Sequence, residues 1–236
     1  MYSETICEIY NAFGWNYYPE AFAGRLLSWI HTNDLPIRSA LDLGCGTGEL
    51  PGILAESGID AWGVDIAEGM IAISRRKYPE ARFELGDMTR YQPGRRFDLI
   101  TSTCDALNHL LTPELLRAAL RNAYELLEPD GWLIFDVLKR SETEHLEPLR
   151  IGTGEAGEVW CSIRRSKPDL PTLTVSLRRG EETLHTEQVI ERCYPEALVL
   201  DMMRGIGYRD IQRGDLLPGE TGPQKGIGNL LVSARK

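Results

Sequence analysis

The sequence lacks the long apolar run that a membrane-spanning helix requires. No stretch approaches the roughly 18 consecutive apolar residues of such a helix. The opening MYSETICEIY contains acids and no basic segment followed by an apolar one, so it does not resemble a targeting signal. We therefore expect no membrane partner and a cytoplasmic location.

Cysteine is sparse and follows no pattern. The five cysteines, Cys7, Cys45, Cys104, Cys161 and Cys193, are odd in number, and none forms a CxxC pair or a zinc-ligand spacing. This argues against a disulfide framework, and we expect no metal site. A reducing compartment, such as the cytoplasm, fits this usage best.

Basic residues are too few for a general nucleic-acid-binding surface. The chain has 26 Lys and Arg against 35 Asp and Glu, and its formal net charge is -9. Proteins that bind nucleic acids need a basic face that displaces counterions from phosphates. The short clusters Arg75-Arg76-Lys77 and Arg178-Arg179 are interpreted as a solvated helix end and a turn. We expect no nucleic-acid partner.

What the sequence does have is a regular succession of short apolar runs. Helix-compatible segments, Ile66–Arg76 and Pro113–Leu127, lie between some of them. This alternation is typical of a parallel sheet with helical crossovers. The runs are Ala40–Leu43, Ala61–Val64, Arg82–Leu85, Phe97–Ile100 and, after a Pro129-Asp130-Gly131 turn, Trp132–Phe135.

The flanking regions have other periods. Residues 1–35 have a helical, amphipathic pattern. Leu173–Leu177 alternates apolar and polar residues, as does a strand of an antiparallel sheet with one face exposed to solvent. His185–Tyr194 is predicted as a further strand with Val189 inward. The last part is predicted to contain a helix, Glu196–Arg204, and two strands, Tyr208–Gln212 and Asn229–Ser233.

Together these patterns predict an α/β, Rossmann-like, doubly wound fold with a mostly parallel seven-stranded sheet. An N-terminal helical lid is expected over 1–35 and the cofactor-binding core over 36–140. A small antiparallel insertion after the fifth strand, over 141–194, would cap an acceptor. Residues 195–236 would complete the core sheet.

The strongest local motif is the glycine-rich turn in Leu41-Asp42-Leu43-Gly44-Cys45-Gly46-Thr47-Gly48-Glu49. Glycine lets the backbone approach a ligand closely and adopt positive φ. A dinucleotide fingerprint starting at Gly44 would need glycine where Glu49 stands. A carboxylate there would repel a pyrophosphate at the helix start, but it would tolerate a phosphate-free, cationic sulfonium ligand.

Two acids follow at the ends of the next predicted strands. Asp65 lies 21 residues after Gly44 and can accept hydrogen bonds from ribose hydroxyls. Asp87, within Gly86-Asp87-Met88, can accept one from an adenine amino group. The glycine turn and these two carboxylates together predict an adenosine site.

With these motifs, residues 36–137 resemble the class I S-adenosylmethionine (SAM) methyltransferases, whose first motif LDLGCGTG matches. The resemblance implies that SAM is the cofactor and that a methyl group is transferred by in-line displacement. It also implies cofactor-binding roles for eleven residues. Asp42, Gly44, Cys45 and Gly46 would meet the methionine part, Asp65 the ribose, and Ile66, Met70, Asp87 and Met88 the adenine, with Tyr10 as a lid and Cys104 near the methyl group.

The resemblance extends to the segment after the fourth strand, Thr103–Leu110, which in the family faces the transferring methyl group. His109 is the candidate general base there, with a structural histidine as the alternative. Asp105 and Asn108 are candidates for orienting the acceptor or the methionine part, and helix capping is the alternative for both. On the insertion, Trp160, Arg192 and Tyr194 are predicted either to line an acceptor pocket or to pack the sheet.

The acceptor is expected to be a small molecule. The Pro129-Asp130-Gly131 turn and the insertion resemble small-molecule members of the family, including sugar- and glycine-type N-methyltransferases. Thr101–Cys104 departs from the Asn/Asp-Pro-Pro-aromatic and Pro-Cys motifs of the nucleic-acid enzymes. Protein methylation, an NAD-dependent oxidoreductase and a non-catalytic cofactor-binding regulatory module stay open as alternatives, as do a monomer and a homodimer.

Overall fold

The computed structural model describes residues 3–12, 17–138, 145–167, 169–214, 217 and 229–236, which form eleven strands and six α-helices. The strands are β1 Ser39–Leu43, β2 Asp60–Asp65, β3 Arg82–Leu85, β4 Phe97–Ser102, β5 Leu127–Leu138, β6 His145–Gly154, β7 Gly157–Lys167, β8 Leu170–Arg179, β9 Glu182–Ile190, β10 Arg209–Gly214 and β11 Asn229–Arg235. The helices are α1 Glu4–Ala12, α2 Tyr17–Thr32, α3 Glu49–Glu56, α4 Glu68–Lys77, α5 Pro113–Leu126 and α6 Glu196–Ile206, with a 3₁₀-helix at Ala106–His109. None of the described helices is long and apolar enough to cross a bilayer.

Seven strands form the central sheet in the order β10-β11-β5-β4-β1-β2-β3. β1 to β5 pair in parallel, and only β11 and β10 run antiparallel to their neighbours. The predicted doubly wound, mostly parallel, seven-stranded sheet is therefore confirmed. β1 has β2 on one side and β4 on the other, so the topological switch point, where such sheets bind ligands, lies at its carboxyl end.

Apolar helix faces cover the sheet on both sides. α5 and α6 bury Leu116, Leu120 and Met203 against one side. α2 and α3 cover the other, where Phe22 and Leu54 join the second core cluster. Since Phe22 is almost completely buried, α2 belongs to this core layer, although the whole of residues 1–35 was predicted as a lid.

The helix that does lie over the cavity is α1, which packs between α4 and the second sheet. Ile6 and Ile9 pack against Val159 of β7. On the other side Cys7 packs on α4, where a Cβ added at Gly69 would lie 3.0 Å from the Cys7 sulfur. Glycine at position 69 therefore lets α1 lie close against α4.

The second sheet is antiparallel, in the order β6-β7-β8-β9, as the alternation of its residues predicts. The predicted strand His185–Tyr194 differs in its bounds, because β9 ends at Ile190. Beyond it the amides of Glu191 and Cys193 still donate to the carbonyls of Pro171 and Asp169, at 3.1 and 2.9 Å, whereas the amide of Arg192 donates to the carbonyl of Asn108 at 2.7 Å. Val189 is buried, as predicted. The predicted start of the insertion at 140/141 lies outside the described residues.

The region around Pro129-Asp130-Gly131 is an irregularity inside β5. α5 ends at Leu126, one residue before the predicted end, and β5 begins at once. Phe97 pairs with Leu127 but Leu99 pairs with Trp132, so the intervening residues loop out of register. Asp130 has a φ of 65°, which is consistent with the predicted turn.

Candidate active site

A cavity of about 610 Å³ opens at the carboxyl ends of the central strands and extends to β9 of the second sheet. Its wall includes His109 and Glu49. It also brings together every residue predicted to bind the cofactor: Tyr10, Asp42, Gly44, Cys45, Gly46, Asp65, Ile66, Met70, Asp87, Met88 and Cys104.

The glycine-rich turn between β1 and α3 forms the floor of the cavity. Gly44 and Gly46 have φ angles of 80° and 52°, which glycine adopts most readily. A Cβ at Gly44 would lie 2.7 Å from the Cβ of Ala106, so a side chain there would collide with the opposite wall. A Cβ at Gly46 would meet nothing within 4 Å, so its backbone faces open space.

The Asp65 carboxylate fixes this turn to the end of β2. Its Oδ2 accepts a hydrogen bond from the Gly46 amide at 2.9 Å, and its Oδ1 accepts one from the Ala67 amide at 2.8 Å. Burial nevertheless raises the pKa of Asp65. The acid therefore shapes the turn and also presents its carboxyl group to the cavity.

Asp42 lies deeper, in β1. It is buried, and its Oδ1 accepts a hydrogen bond from the Thr101 hydroxyl at 2.6 Å. Burial raises the pKa of Asp42 to about 7, although the Thr101 bond opposes that shift. Near neutral pH this group is divided between its acid and its carboxylate form.

Glu49 at the start of α3 is a buried carboxylate in the cavity wall. It accepts a hydrogen bond from the Thr47 hydroxyl at 2.6 Å and forms an ion pair with Lys77. Arg75, two residues earlier, donates to the carbonyl of Phe83 at 2.7 Å. Arg75 and Arg76 are exposed, in agreement with the interpretation as a solvated helix end, whereas Lys77 is half-buried and pairs with an acid 28 positions away.

The loop after β3 is held by hydrogen bonds that leave Asp87 at the cavity. The Asp87 Oδ1 accepts from the amide and the hydroxyl of Thr89, at 2.9 and 2.7 Å. Asn122 of α5 donates to the carbonyls of Met88 and Tyr91, at 3.0 and 3.1 Å. The position of Asp87 and Met88 thus depends on a side chain from the next helix.

The wall after β4 depends on Asp136, a residue that the sequence reasoning missed. Cys104 and Asp105 have φ angles of 57° and 60°, an unfavourable conformation for residues other than glycine. Their amides donate to the two oxygens of the fully buried Asp136 carboxylate, at 3.0 and 2.9 Å. Burial, together with the Asp136 charge and a hydrogen bond to it, raises the pKa of Tyr18 on α2. One carboxylate therefore holds both the strained turn and α2.

The three predicted catalytic residues lie in one short segment, but only one of them lines the cavity. His109 lines the cavity, whereas Asp105 and Asn108 are not among its lining residues. The buried Asn108 side chain donates to the carbonyl of Arg192 at 2.6 Å and accepts from the amide of Leu138 at 3.0 Å. It joins the 3₁₀-helix to β5 and to the chain after β9, which is a positioning role.

Burial lowers the pKa of His109 to about 4, so its imidazole is neutral at physiological pH. The thiols of Cys45 and Cys104, which also line the cavity, have pKa values raised by burial. They are therefore protonated at physiological pH and are not activated as nucleophiles.

The far side of the cavity is formed by Glu187–Ile190 of β9. The Glu187 carboxylate accepts hydrogen bonds from the amide and the hydroxyl of Ser3, which joins the start of α1 to β9. Of the residues considered on the insertion, Trp160, Arg192 and Tyr194 are not among the lining residues. Tyr194 and Arg192 instead donate to carbonyls of Thr112 and Leu111, both at 3.0 Å, and support the wall from behind.

Comparisons with known proteins point to one family. A family profile described as "Methyltransferase domain" matches residues 40–131. A dTDP-3-amino-3,6-dideoxy-alpha-D-glucopyranose N,N-dimethyltransferase of Streptomyces fradiae is 32% identical over 160 residues, 66% of this chain and 62% of that protein. A dTDP-3-amino-3,4,6-trideoxy-alpha-D-glucopyranose N,N-dimethyltransferase of Streptomyces venezuelae is 30% identical over 161 residues, 59% and 67% of the two chains. The matches span about half to two thirds of the length of the curated relatives.

Solved structures share the fold over nearly the whole chain. An S-adenosylmethionine-dependent methyltransferase from Clostridium acetobutylicum ATCC 824 superposes with a TM-score of 0.79 at 20% identity, covering 98% of this chain and 97% of that one. The SAM-bound amino pentose methyltransferase CalS10 from Micromonospora echinaspora gives a TM-score of 0.73 at 20% identity, covering 100% and 98%. At these identities the likeness concerns the fold alone.

Replacing Asp136 by Asn tests the clamp on the Cys104-Asp105 turn. The Asn side chain has one acceptor oxygen, so it can accept a hydrogen bond from only one of the two backbone amides. Its NH₂ group would face the other amide, donor against donor. We expect the free energy of unfolding to fall by about 1–3 kcal/mol. Urea unfolding measures this, and Asp201→Asn, which alters an exposed pair with Arg204, is the control with an effect below about 0.5 kcal/mol. Equal stabilities of the two variants would contradict the clamp.

The low pKa of His109 predicts a pH-dependent contribution to stability. The unfolded chain takes up a proton near its ordinary value of 6.5, whereas the folded protein does so only near 4. The neutral His109 ring therefore makes its full contribution to the free energy of unfolding above pH 6.5. This contribution decreases as the pH falls from 6.5 towards 4, by at most about 1.4 kcal/mol per pH unit. The difference in unfolding free energy between wild type and His109→Gln isolates this contribution from that of Asp42. A difference that is constant from pH 7 to pH 4 would contradict it.

Proposed function

Because the chain belongs to the class I S-adenosylmethionine-dependent methyltransferase family, we propose that it transfers a methyl group from SAM to a small-molecule acceptor. The observation that carries this proposal is the convergence of the glycine turn, Asp65 and Asp87 on one cavity that reaches β9. A cofactor half and an acceptor half then lie in a single space, as methyl transfer requires.

The lining of the cavity fits SAM. The open space at Gly46 admits a ligand against bare backbone, and a phosphate-free cation is compatible with the carboxylates of Asp42, Asp65 and Glu49. When bound, SAM supplies a methyl group already activated by its positive sulfur. We assign Asp42 and the glycine turn to the methionine part and Asp65 to the ribose. Ile66, Met70, Asp87 and Met88 are assigned to the adenine.

The protein's own contribution is to align the reactants and to exclude water. Such alignment can lower the activation barrier by several kcal/mol. Tyr10 of α1 closes one side of the cavity and β9 closes the other. The wall clamped by Asp136 places Cys104 and His109 in fixed positions between them. We propose that the neutral His109 ring accepts a hydrogen bond from the nucleophilic group of the acceptor and so orients it.

Nitrogen is the proposed acceptor atom. The two Streptomyces relatives are named for N,N-dimethylation of amino sugars. Closure of the cavity by α1 and β9 favours a small molecule over a protein side chain. The Glu49–Lys77 pair at the start of α3 argues against a pyrophosphate there, and therefore against NAD. Five free thiols support a reducing, cytoplasmic location.

Calorimetric titration with S-adenosylhomocysteine, the demethylated product, tests the cofactor site. Wild type is expected to bind it and not NAD. Asp65→Ala is expected to weaken binding about 10–100-fold, the effect of losing a hydrogen bond to a charged group. Asp60→Ala, at the opposite and exposed end of β2, is the matched control and is expected to bind normally. Circular dichroism checks that both variants fold, and absence of binding to wild type would refute the proposed function.

The raised pKa of Asp42 predicts that cofactor binding releases protons. With a pKa of about 7, Asp42 is half protonated at pH 7 in the free protein. A cationic amino group nearby favours the carboxylate and lowers that pKa. We expect net proton release on binding of S-adenosylhomocysteine at pH 7, measured by calorimetry in buffers of different ionisation enthalpy. In Asp42→Asn this release should disappear, and proton uptake by wild type would contradict the assignment.

A further inference from the structure

Four apolar residues line the acceptor side of the cavity. Leu110 and Leu111 follow the 3₁₀-helix, and Val189 and Ile190 end β9. We call these four residues the apolar rim. Leu111 is 37% exposed and Ile190 is 46% exposed, although both line the cavity. Large apolar side chains left open at a cavity indicate a surface that binds an apolar partner.

The two halves of the apolar rim are held together by hydrogen bonds. The amide of Arg192, two residues after Ile190, donates to the carbonyl of Asn108 at 2.7 Å. The Arg192 guanidinium donates to the carbonyl of Leu111 at 3.0 Å. The apolar rim is therefore a preformed surface, and it begins at the residue next to His109.

The charged groups that line the cavity are acids, and the Arg192 guanidinium lies behind the wall, on the carbonyl of Leu111. The cavity lining includes five acids, Asp42, Glu49, Asp65, Asp87 and Glu187, of which Glu49 pairs with Lys77 and Asp87 with Arg90. Among the described residues, no lysine or arginine lines the cavity. His109 adds no positive charge, since its ring is neutral. A carboxylate or phosphate on the acceptor would therefore be repelled, whereas an amine would not.

We infer that the acceptor is an amphiphilic amine, with an apolar body of several carbons against the apolar rim and no phosphate or carboxylate group. This inference rests on the proposed function and specifies its substrate. The amine lone pair forms the new carbon–nitrogen bond as the methyl–sulfur bond breaks, the sulfur keeps the bonding electrons, and the methylated nitrogen loses its proton to solvent. Such an acceptor differs from the dTDP-linked amino sugars for which the two relatives are named.

The test is calorimetric binding of n-alkylamines, from propylamine to hexylamine, to the protein saturated with S-adenosylhomocysteine. Each methylene that reaches the apolar rim should tighten binding about fourfold, which corresponds to about 0.8 kcal/mol. Matched alkyl carboxylates should bind at least about tenfold more weakly than the amines of the same length, because the cavity charges repel them. Thymidine diphosphate should not compete.

Ile190→Asn places a polar group on the apolar rim. In this variant the affinity for n-alkylamines should rise less steeply with chain length than in wild type. Leu149→Asn is the matched control, because Leu149 is an exposed leucine of β6 that does not line the cavity. It should behave as wild type. Both variants should bind S-adenosylhomocysteine as wild type does. If wild type itself fails to bind S-adenosylhomocysteine, the proposed function is refuted, and not only this inference about the acceptor. Amine affinity independent of chain length, or stronger binding of thymidine diphosphate than of hexylamine, would overturn the inference.

Discussion

The buried carboxylate of Asp136 is the interaction on which the reactive half of the cavity depends. It compensates two strained residues in succession, and those residues start the segment that carries His109 and the Leu110-Leu111 half of the apolar rim. The two backbone amides would otherwise be buried donors without acceptors, which is costly. Because Tyr18 of α2 contacts the same carboxylate, the wall is also connected to the helical layer beneath the sheet. A single side chain of β5 thus determines where the acceptor half begins.

The cofactor half contains buried acids whose negative charges are compensated to different extents. Glu49 is neutralised by Lys77, and Asp65 is held by two backbone amides. Asp42 accepts a hydrogen bond from the Thr101 hydroxyl, and burial raises its pKa to about 7. The free protein therefore stores one acid whose charge is poorly compensated, in the place assigned to the positive amino group of the ligand.

The sequence predicted those features that leave a local signal. The parallel strands follow from apolar runs of regular spacing, and the site from a glycine turn and acids at strand ends, so all eleven predicted cofactor residues line one cavity. Features built by distant pairs were missed. Asp136 contacts residues 31 and 32 positions earlier, and Lys77 pairs with an acid 28 positions away. An acid inside the apolar run of β5 was the one available sign of Asp136. The predicted strand extends four residues beyond the end of β9, over a segment whose amides donate partly to the start of β8 and partly, through Arg192, to the cavity wall.

The way α1 is attached separates access to the cavity from the stability of the fold. α1 touches α4 where Gly69 permits a close fit, touches the second sheet through Ile6 and Ile9, and reaches β9 through Ser3 and Glu187. None of these contacts involves the central sheet, whereas α2 is anchored in it by Phe22. Displacement of this one nine-residue helix would therefore open the cavity without breaking a strand pairing of the seven-stranded sheet.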